Sequence, residues 1–183
     1  MIDARKFSLA EYAGNHPAGA IGRALLLRAS DIMRTGDALA LVPPTATVMD
    51  AALAMTASHG GSAIVVGPKG ELKGIFTDGD FRRVVVDGKG DVRDAGDRSP
   101  KGKRGTSRGE ALSPLSSLSC QVLASPVSRF MTASPLFVRE DAYAADLLKI
   151  FERKHIDDLP VCDAKGRVVG LVDIQDLPKM KVL

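Results

Sequence analysis

The 183-residue sequence has no tryptophan, two tyrosines and six phenylalanines, so aromatic residues make up only 4% of it. Stacking platforms for nucleobases are therefore scarce. Two cysteines, Cys120 and Cys162, are too few for a disulfide framework or a cysteine metal cluster. Cys162 falls in an apolar run and reads as a small core residue, whereas Cys120 lies in a loop-like stretch as a free thiol. No apolar run approaches the roughly 18 residues that a membrane span needs. The opening Met1-Ile2-Asp3-Ala4-Arg5-Lys6 lacks the apolar centre of a secretory signal, which makes the cytoplasm the expected location. The formal charge of +3 is also local, because seven Lys/Arg against four Asp/Glu between Gly88 and Glu110 account for all of it. Nucleic acid is not an expected partner, and neither a metal nor a cofactor is expected.

What remains is an ordinary soluble composition, 45% hydrophobic and 26% charged, long enough for one domain or two small ones. Residues 1–29 read as helical. Ser8-Leu9-Ala10-Glu11 is a capping box, Gly14-Asn15 ends that helix, and Pro17 after His16 starts another through Ile21, Ala24, Leu25 and Leu27. The chain opens inside an already amphipathic element, which suggests truncation.

From Ala38 the pattern changes. Ala40-Leu41-Val42 is a short strand stopped by Pro43-Pro44. Thr47 caps a helix with Val48, Ala51, Ala52 and Met55 at helical spacing, a core stripe that Gly60-Gly61 closes. Ala63–Val66 is a buried strand, Gly67-Pro68-Lys69-Gly70 a hairpin turn, and Leu72–Phe76 the returning strand. The unit is strand–helix–strand–strand–helix.

Shifted by 96 positions, the same unit recurs. Leu136-Phe137-Val138 is the strand, and a helix runs from Asp141 through Ala144, Leu147, Leu148 and Phe151. Leu159–Cys162 and Val168–Val172 flank the turn Asp163-Ala164-Lys165-Gly166. Val42–Arg83 aligns without a gap on Val138–Lys179, with nine identities in 42 pairs where chance gives about two or three. Asp50/Asp146, His59/His155, Gly70/Gly166, Gly74/Gly170 and Asp80/Asp176 are among them. Ser30-Asp31-Ile32-Met33 and Ser128-Arg129-Phe130-Met131 also match, with a two-residue slip. Met33 and Met131 read as core plugs where the two copies meet. His59 and His155 read as structural residues at helix ends, and Asp157-Asp158 as solvent-facing or on the rim of a second cleft.

Each unit ends in a junction. In Gly74-Ile75-Phe76-Thr77-Asp78-Gly79-Asp80-Phe81-Arg82-Arg83 a strand stops at Thr77 and turns at once into a helix. Thr77 is a good N-cap, and Asp80 sits in the first turn where the helix dipole favours negative charge. One reading is a capping box with Asp in place of Glu. The other is that Thr77, Asp80 and the first-turn N–H groups face a ligand with hydroxyls and phosphate. Between the copies, residues 89–124 are rich in Gly, Ser and basic residues and bury too little apolar surface to order themselves.

A duplicated β-α-β-β-α unit, preceded by an Asp-Ile-Met-like turn and ending in Gly-h-h-Thr/Ser-x-x-Asp, resembles the CBS domain pair. That places CBS repeat 1 at residues 28–88 and repeat 2 at 125–183. The implied fold is α/β (α+β), with tandem repeats packed in pseudo-two-fold symmetry behind short N-terminal helices. The implied ligand is an adenine nucleotide or related molecule, with flat dimers or higher oligomers as the usual association. By the resemblance, Asp80 holds ribose hydroxyls, Thr77 contacts ribose or phosphate, Arg83 faces phosphate, and the base lies against Ser62 and Ala63. The second copy keeps Asp176 but has Asp173 for Thr/Ser. Two carboxylates would repel a phosphate there, so a second cleft is expected to bind weakly, to prefer a ligand without phosphate, or to stay unliganded.

Phe7–Arg23 with Leu25–Asp37, and "GIFTDGDFRR", are similar to the arabinose-5-phosphate isomerase family, in which a sugar isomerase domain precedes the CBS pair. The resemblance makes residues 1–27 the end of an isomerase domain, with Ala18 and Ile21 departing from its Gly and Leu. It also makes His16 a candidate acid/base, able to act only with a separate isomerase domain. That family interconverts ribulose 5-phosphate and arabinose 5-phosphate on the way to bacterial lipopolysaccharide. The expectation is a regulatory, non-catalytic module; the alternatives are a free-standing nucleotide sensor and a subunit of a split isomerase.

Overall fold

The computed structural model describes residues 27–87 and 121–176. The expected helices and His16 within residues 1–26, residues 89–120 of the insertion including Cys120, and Lys179 lie outside the described residues. The end of the insertion, expected not to order itself, is described, with 121–123 helical and Val122 and Leu123 packed on the first core. Those described divide into two compact units: residues 36–87 with 121–135, and residues 27–35 with 136–176.

In the first unit the strands are β1 (Ala40–Val42), β2 (Ser62–Val66), β3 (Leu72–Thr77) and β4 (Thr132–Ala133), hydrogen-bonded in that order. β1 and β2 are parallel and need a crossover, which the helix Val48–Ala57 supplies. That helix starts because Thr47 Oγ1 accepts from the Asp50 N–H at 3.0 Å while Asp50 accepts from the Thr47 N–H at 2.9 Å, a full capping box. Val48, Ala51 and Met55 are its buried face. It ends at His59, whose φ of 51° is left-handed, a conformation in which histidine is enriched among non-glycine residues. β2 and β3 form the hairpin, and Thr77 passes directly into the helix Asp78–Asp87. Ala63, Val65 and Phe76 pack with Val48, Ala51 and Met55 into one core. Fully burying each larger apolar side chain contributes about 1.5–3 kcal/mol.

The second unit repeats this with β5 (Val138–Arg139), β6 (Asp158–Cys162) and β7 (Val168–Asp173) in one sheet. The helix Ala144–Lys154 crosses from β5 to β6, starting three residues later than Asp141, at the position equivalent to Val48; Tyr143 at its N-cap makes no side-chain cap bond. His155 at its end is again left-handed, φ 51°. Leu147, Phe151, Leu159, Val161 and Val172 form the core, and burial raises the pKa of the Cys162 thiol. Cys162 is the expected small core residue.

The Asp-Ile-Met-like segments exchange partners. Met131 and β4, which precede the second copy in sequence, lie on β3 of the first, with Gly74 opposite Ala133 and Ile75 opposite Thr132. Met33 and Arg34, which precede the first copy, lie on β7, where Arg34 and Leu171 exchange both backbone hydrogen bonds at 2.8 and 3.2 Å. The glycines shared by the copies explain themselves here. A Cβ on Gly74 would collide with the Met131 sulfur, and one on Gly170 with the Met33 sulfur. Each methionine is thus a plug, seated over the strand glycine of the other copy.

Candidate functional site

At the first junction the sheet and the helix start bring together Ser62, Thr77, Asp80 and Arg83. Ser62 and Thr77 are register partners across β2 and β3, so their side chains share a sheet face, the one opposite Ala63, Val65 and Phe76. Asp80 is 4% exposed. Its Oδ2 accepts from both the Thr77 N–H and the Thr77 hydroxyl at 2.8 Å, and Thr77 Oγ1 accepts from the Asp80 N–H at 3.3 Å. Asp80 Oδ1 accepts from the Arg83 guanidinium. The motif is therefore a capping box, as its sequence permits.

Capping does not exhaust the chemistry. Each carboxylate oxygen offers two lone-pair sites, and Oδ1 has one described partner, Arg83. The Arg83 side chain is 59% exposed while that of Asp80 is 5% exposed, so the guanidinium covers the carboxylate from outside on an exposed stem. A Cβ on Gly79 would lie 3.6 Å from Thr77 Oγ1 and 3.8 Å from Arg83 Nη1, which marks a point that touches both groups and that glycine keeps clear. Ser62 is 1% exposed, and its hydroxyl has no hydrogen-bond partner among the described residues. A buried hydroxyl left unpaired is costly. Ala63, fully buried, faces the core with its methyl and brings only its backbone to this edge.

The second junction has the same backbone and different chemistry. Asp158 stands where Ser62 does and pairs in register with Asp173, which stands for Thr77. The two carboxylates expected to repel a phosphate are engaged by an arginine. Arg34 Nε donates to Asp176 Oδ2 at 2.5 Å, and Arg34 Nη2 donates to Asp173 Oδ2 at 3.0 Å. The hydrogen bond to Asp176, with the charges of Asp176, Asp173 and Asp158 behind it, raises the Arg34 pKa despite partial burial. The Arg34 counterpart in the first unit is Thr132. Sequence reading missed Arg34 because its partners lie 139 and 142 residues away; the two-residue slip that aligns Met33 with Met131 is the signal that could have found it.

A groove on the second unit, lined by Leu148, Phe151, His155 and Ile174 among others, takes in none of Ser62, Thr77, Asp80 or Arg83. Among the described residues no cluster of three His, Cys, Asp or Glu could hold a metal ion. No described helix is long and apolar enough to cross a membrane.

The CBS domain family matches residues 29–87 and 127–179. The chain belongs to the CBS domain family, as a pair of such domains. The arabinose 5-phosphate isomerase KdsD of Salmonella typhimurium is 32% identical over 183 residues, which are 100% of this chain and 46% of that enzyme. The chain thus spans about half the length of the curated relatives it matches. Among solved structures, CBSX2, a CBS-pair protein of Arabidopsis thaliana, in its complex with AMP is 20% identical, with a TM-score of 0.61 over 85% of this chain and 96% of that one. The CBS domain pair of protein MJ0100, in complex with 5′-methylthioadenosine and S-adenosyl-L-methionine, is 17% identical, with a TM-score of 0.60 over 85% and 95%. These likenesses fix the fold.

Proposed function

We propose that this CBS pair is the ligand-sensing regulatory region of an arabinose 5-phosphate isomerase, and that it takes an adenine nucleotide or a nucleotide sugar at the first junction. The observation that carries this reading is the Ser62 hydroxyl, buried without a partner among the described residues on the same sheet face as Thr77, beside Asp80. A nucleotide supplies what these groups lack. Its base edge pairs with Ser62 and the backbone of Ala63, a ribose hydroxyl donates to the open site on Asp80 Oδ1, and its phosphate draws Arg83 and the first-turn N–H groups. The relatives of known structure that hold AMP or methylthioadenosine, and the isomerases that share the sequence, support the ligand class and the parent enzyme. His16 then belongs to the preceding isomerase domain, and catalysis resides there. Differential binding between two arrangements of the pair is what alters the enzyme.

Calorimetric titration with AMP tests the reading. The wild-type chain gives a saturable heat, and Thr77→Ala with Asp80→Ala abolishes it. Losing the cap costs about 1 kcal/mol of stability, so Ser62→Ala is the sharper variant. It deletes a hydroxyl that makes no bond among the described residues, leaves the melting temperature unchanged or raises it, and weakens AMP at least several-fold. Unaltered affinity in both variants contradicts the assignment.

A further inference from the structure

The two junctions each contain an arginine, and the arginines differ in how they are held. Arg83 extends from the same helix as its partner Asp80, with 59% of its side chain in solvent. It can turn from Asp80 to a phosphate because its own head stays in solvent and Asp80 keeps the Thr77 N–H and hydroxyl as donors. Arg34 arrives from the other end of the chain. Its backbone is fixed by a hydrogen-bonded pair with Leu171, the neighbouring Met33 is seated over Gly170, and its side chain is 18% exposed. It holds two carboxylates, Asp173 and Asp176, that are themselves 11% and 14% exposed. Removing a partner from such a pair strands charge in a poorly hydrated place. The exchanges are also compensated in part, two carboxylates against one guanidinium. The second copy has aspartates where the first has Ser62 and Thr77, and an arginine where the first has Thr132.

We propose that Arg34 is the resident occupant of the second junction, a side chain built into the fold that engages Asp173 and Asp176 and closes this copy to phosphate-bearing ligands. The pair is then a one-site module in which the first junction senses and the second is locked. The lock also anchors the segment that precedes the first copy. The closure rests on the reading that the first junction binds a nucleotide; the ionic lock does not.

Two measurements keep these apart. Thermal melts of the ligand-free chain come first, with Arg34→Thr, Asp173→Thr and the double variant. The lock requires that Arg34→Thr lowers the melting temperature and that the double variant melts above Arg34→Thr alone, since removing Asp173 relieves the stranded charge. Arg34→Lys, which keeps the charge and loses the fork, melts between wild type and Arg34→Thr. Strictly additive losses, or no loss on Arg34→Thr, overturn the lock. AMP titration follows. The wild type takes one equivalent per chain and the double variant, which restores the threonines of the first copy, takes two. A wild type that takes two, or a folded double variant that still takes one, overturns the closure. A wild type that takes no AMP defeats the first-junction reading; the double variant then decides closure alone, one AMP supporting it and none overturning it.

Discussion

The two copies share a backbone plan, yet their differences come in matched sets. In the first core the large aromatic is Phe76 on the strand with Met55 on the helix; in the second, Val172 is on the strand and Phe151 on the helix. In the first hairpin turn Glu71 brings its carboxylate back to the Lys69 N–H at 2.9 Å; in the second, Asp163 reaches forward to the Lys165 and Arg167 N–H groups at 2.8 and 2.9 Å. A Cβ on Gly67, the counterpart of Asp163, would lie 2.6 Å from the Glu71 carboxyl carbon, so the same anion is delivered to the same volume from the opposite end of the turn. At the junctions Thr77 with Thr132 is set against Asp173 with Arg34. The lesson is that volume and charge are conserved by the site rather than by the position. At the junction the exchange also alters the chemistry of the surface, from hydroxyls to carboxylates held by an arginine.

The core comparison breaks or holds on a double-mutant cycle. Phe76→Val removes a buried ring and costs about 3 kcal/mol, the largest effect expected. Met55→Phe alone overpacks, at about 1–3 kcal/mol. If the two cores are rearrangements of one volume, the double variant regains more than 1 kcal/mol over the sum of the singles in urea melts. Simple additivity would break the comparison.

The methionine plugs come next. Gly74→Val and Gly170→Val each force a methionine off its strand, and each destabilises by about 1–3 kcal/mol. Because Met131 and Met33 hold equivalent seats, denaturant midpoints for the two variants fall together. A large disparity would show that the exchange of segments matters more to one unit than to the other.

The smallest effect concerns the turns. The N–H of Arg167, followed by its guanidinium and the Lys165 N–H, holds the Asp163 carboxyl below the usual carboxylate range. Its own N–H and that of Lys69 do the same for Glu71. A carboxylate whose pKa is depressed in the folded state adds stability that is present above its unfolded pKa of about 4 and is lost as pH falls through the folded value. Asp163→Asn and Glu71→Gln therefore flatten the acid side of the melting curve below about pH 5 and leave its alkaline side alone. Equal flattening by the two would sharpen the idea of one anion in one place.

Much of this was legible in the sequence. The unbroken alignment of Val42–Arg83 on Val138–Lys179 carries the fold, because a duplication of hydrophobic period reports the same elements twice. The capping chemistry of Thr47 and Thr77 was equally plain, being local. The exchange of the Met33 and Met131 segments was not, since strand pairing between residues 57 to 137 positions apart leaves no periodic trace. For the same reason the carboxylates of the second copy looked bare until Arg34 was placed against them. The resemblance names Ser62 as a base contact, but its burial without a partner among the described residues is visible only in the fold.

On the proposed reading the junctions differ in kind, one able to receive a nucleotide and the other already engaged by its own arginine. Backbone amide chemical shifts during an AMP titration test it residue by residue. The account predicts saturable movement of Ser62, Ala63 and Thr77–Arg83, with Arg34 and Asp173–Asp176 left near their starting positions. Equal movement at both junctions, or movement confined to Asp173–Asp176, would contradict it.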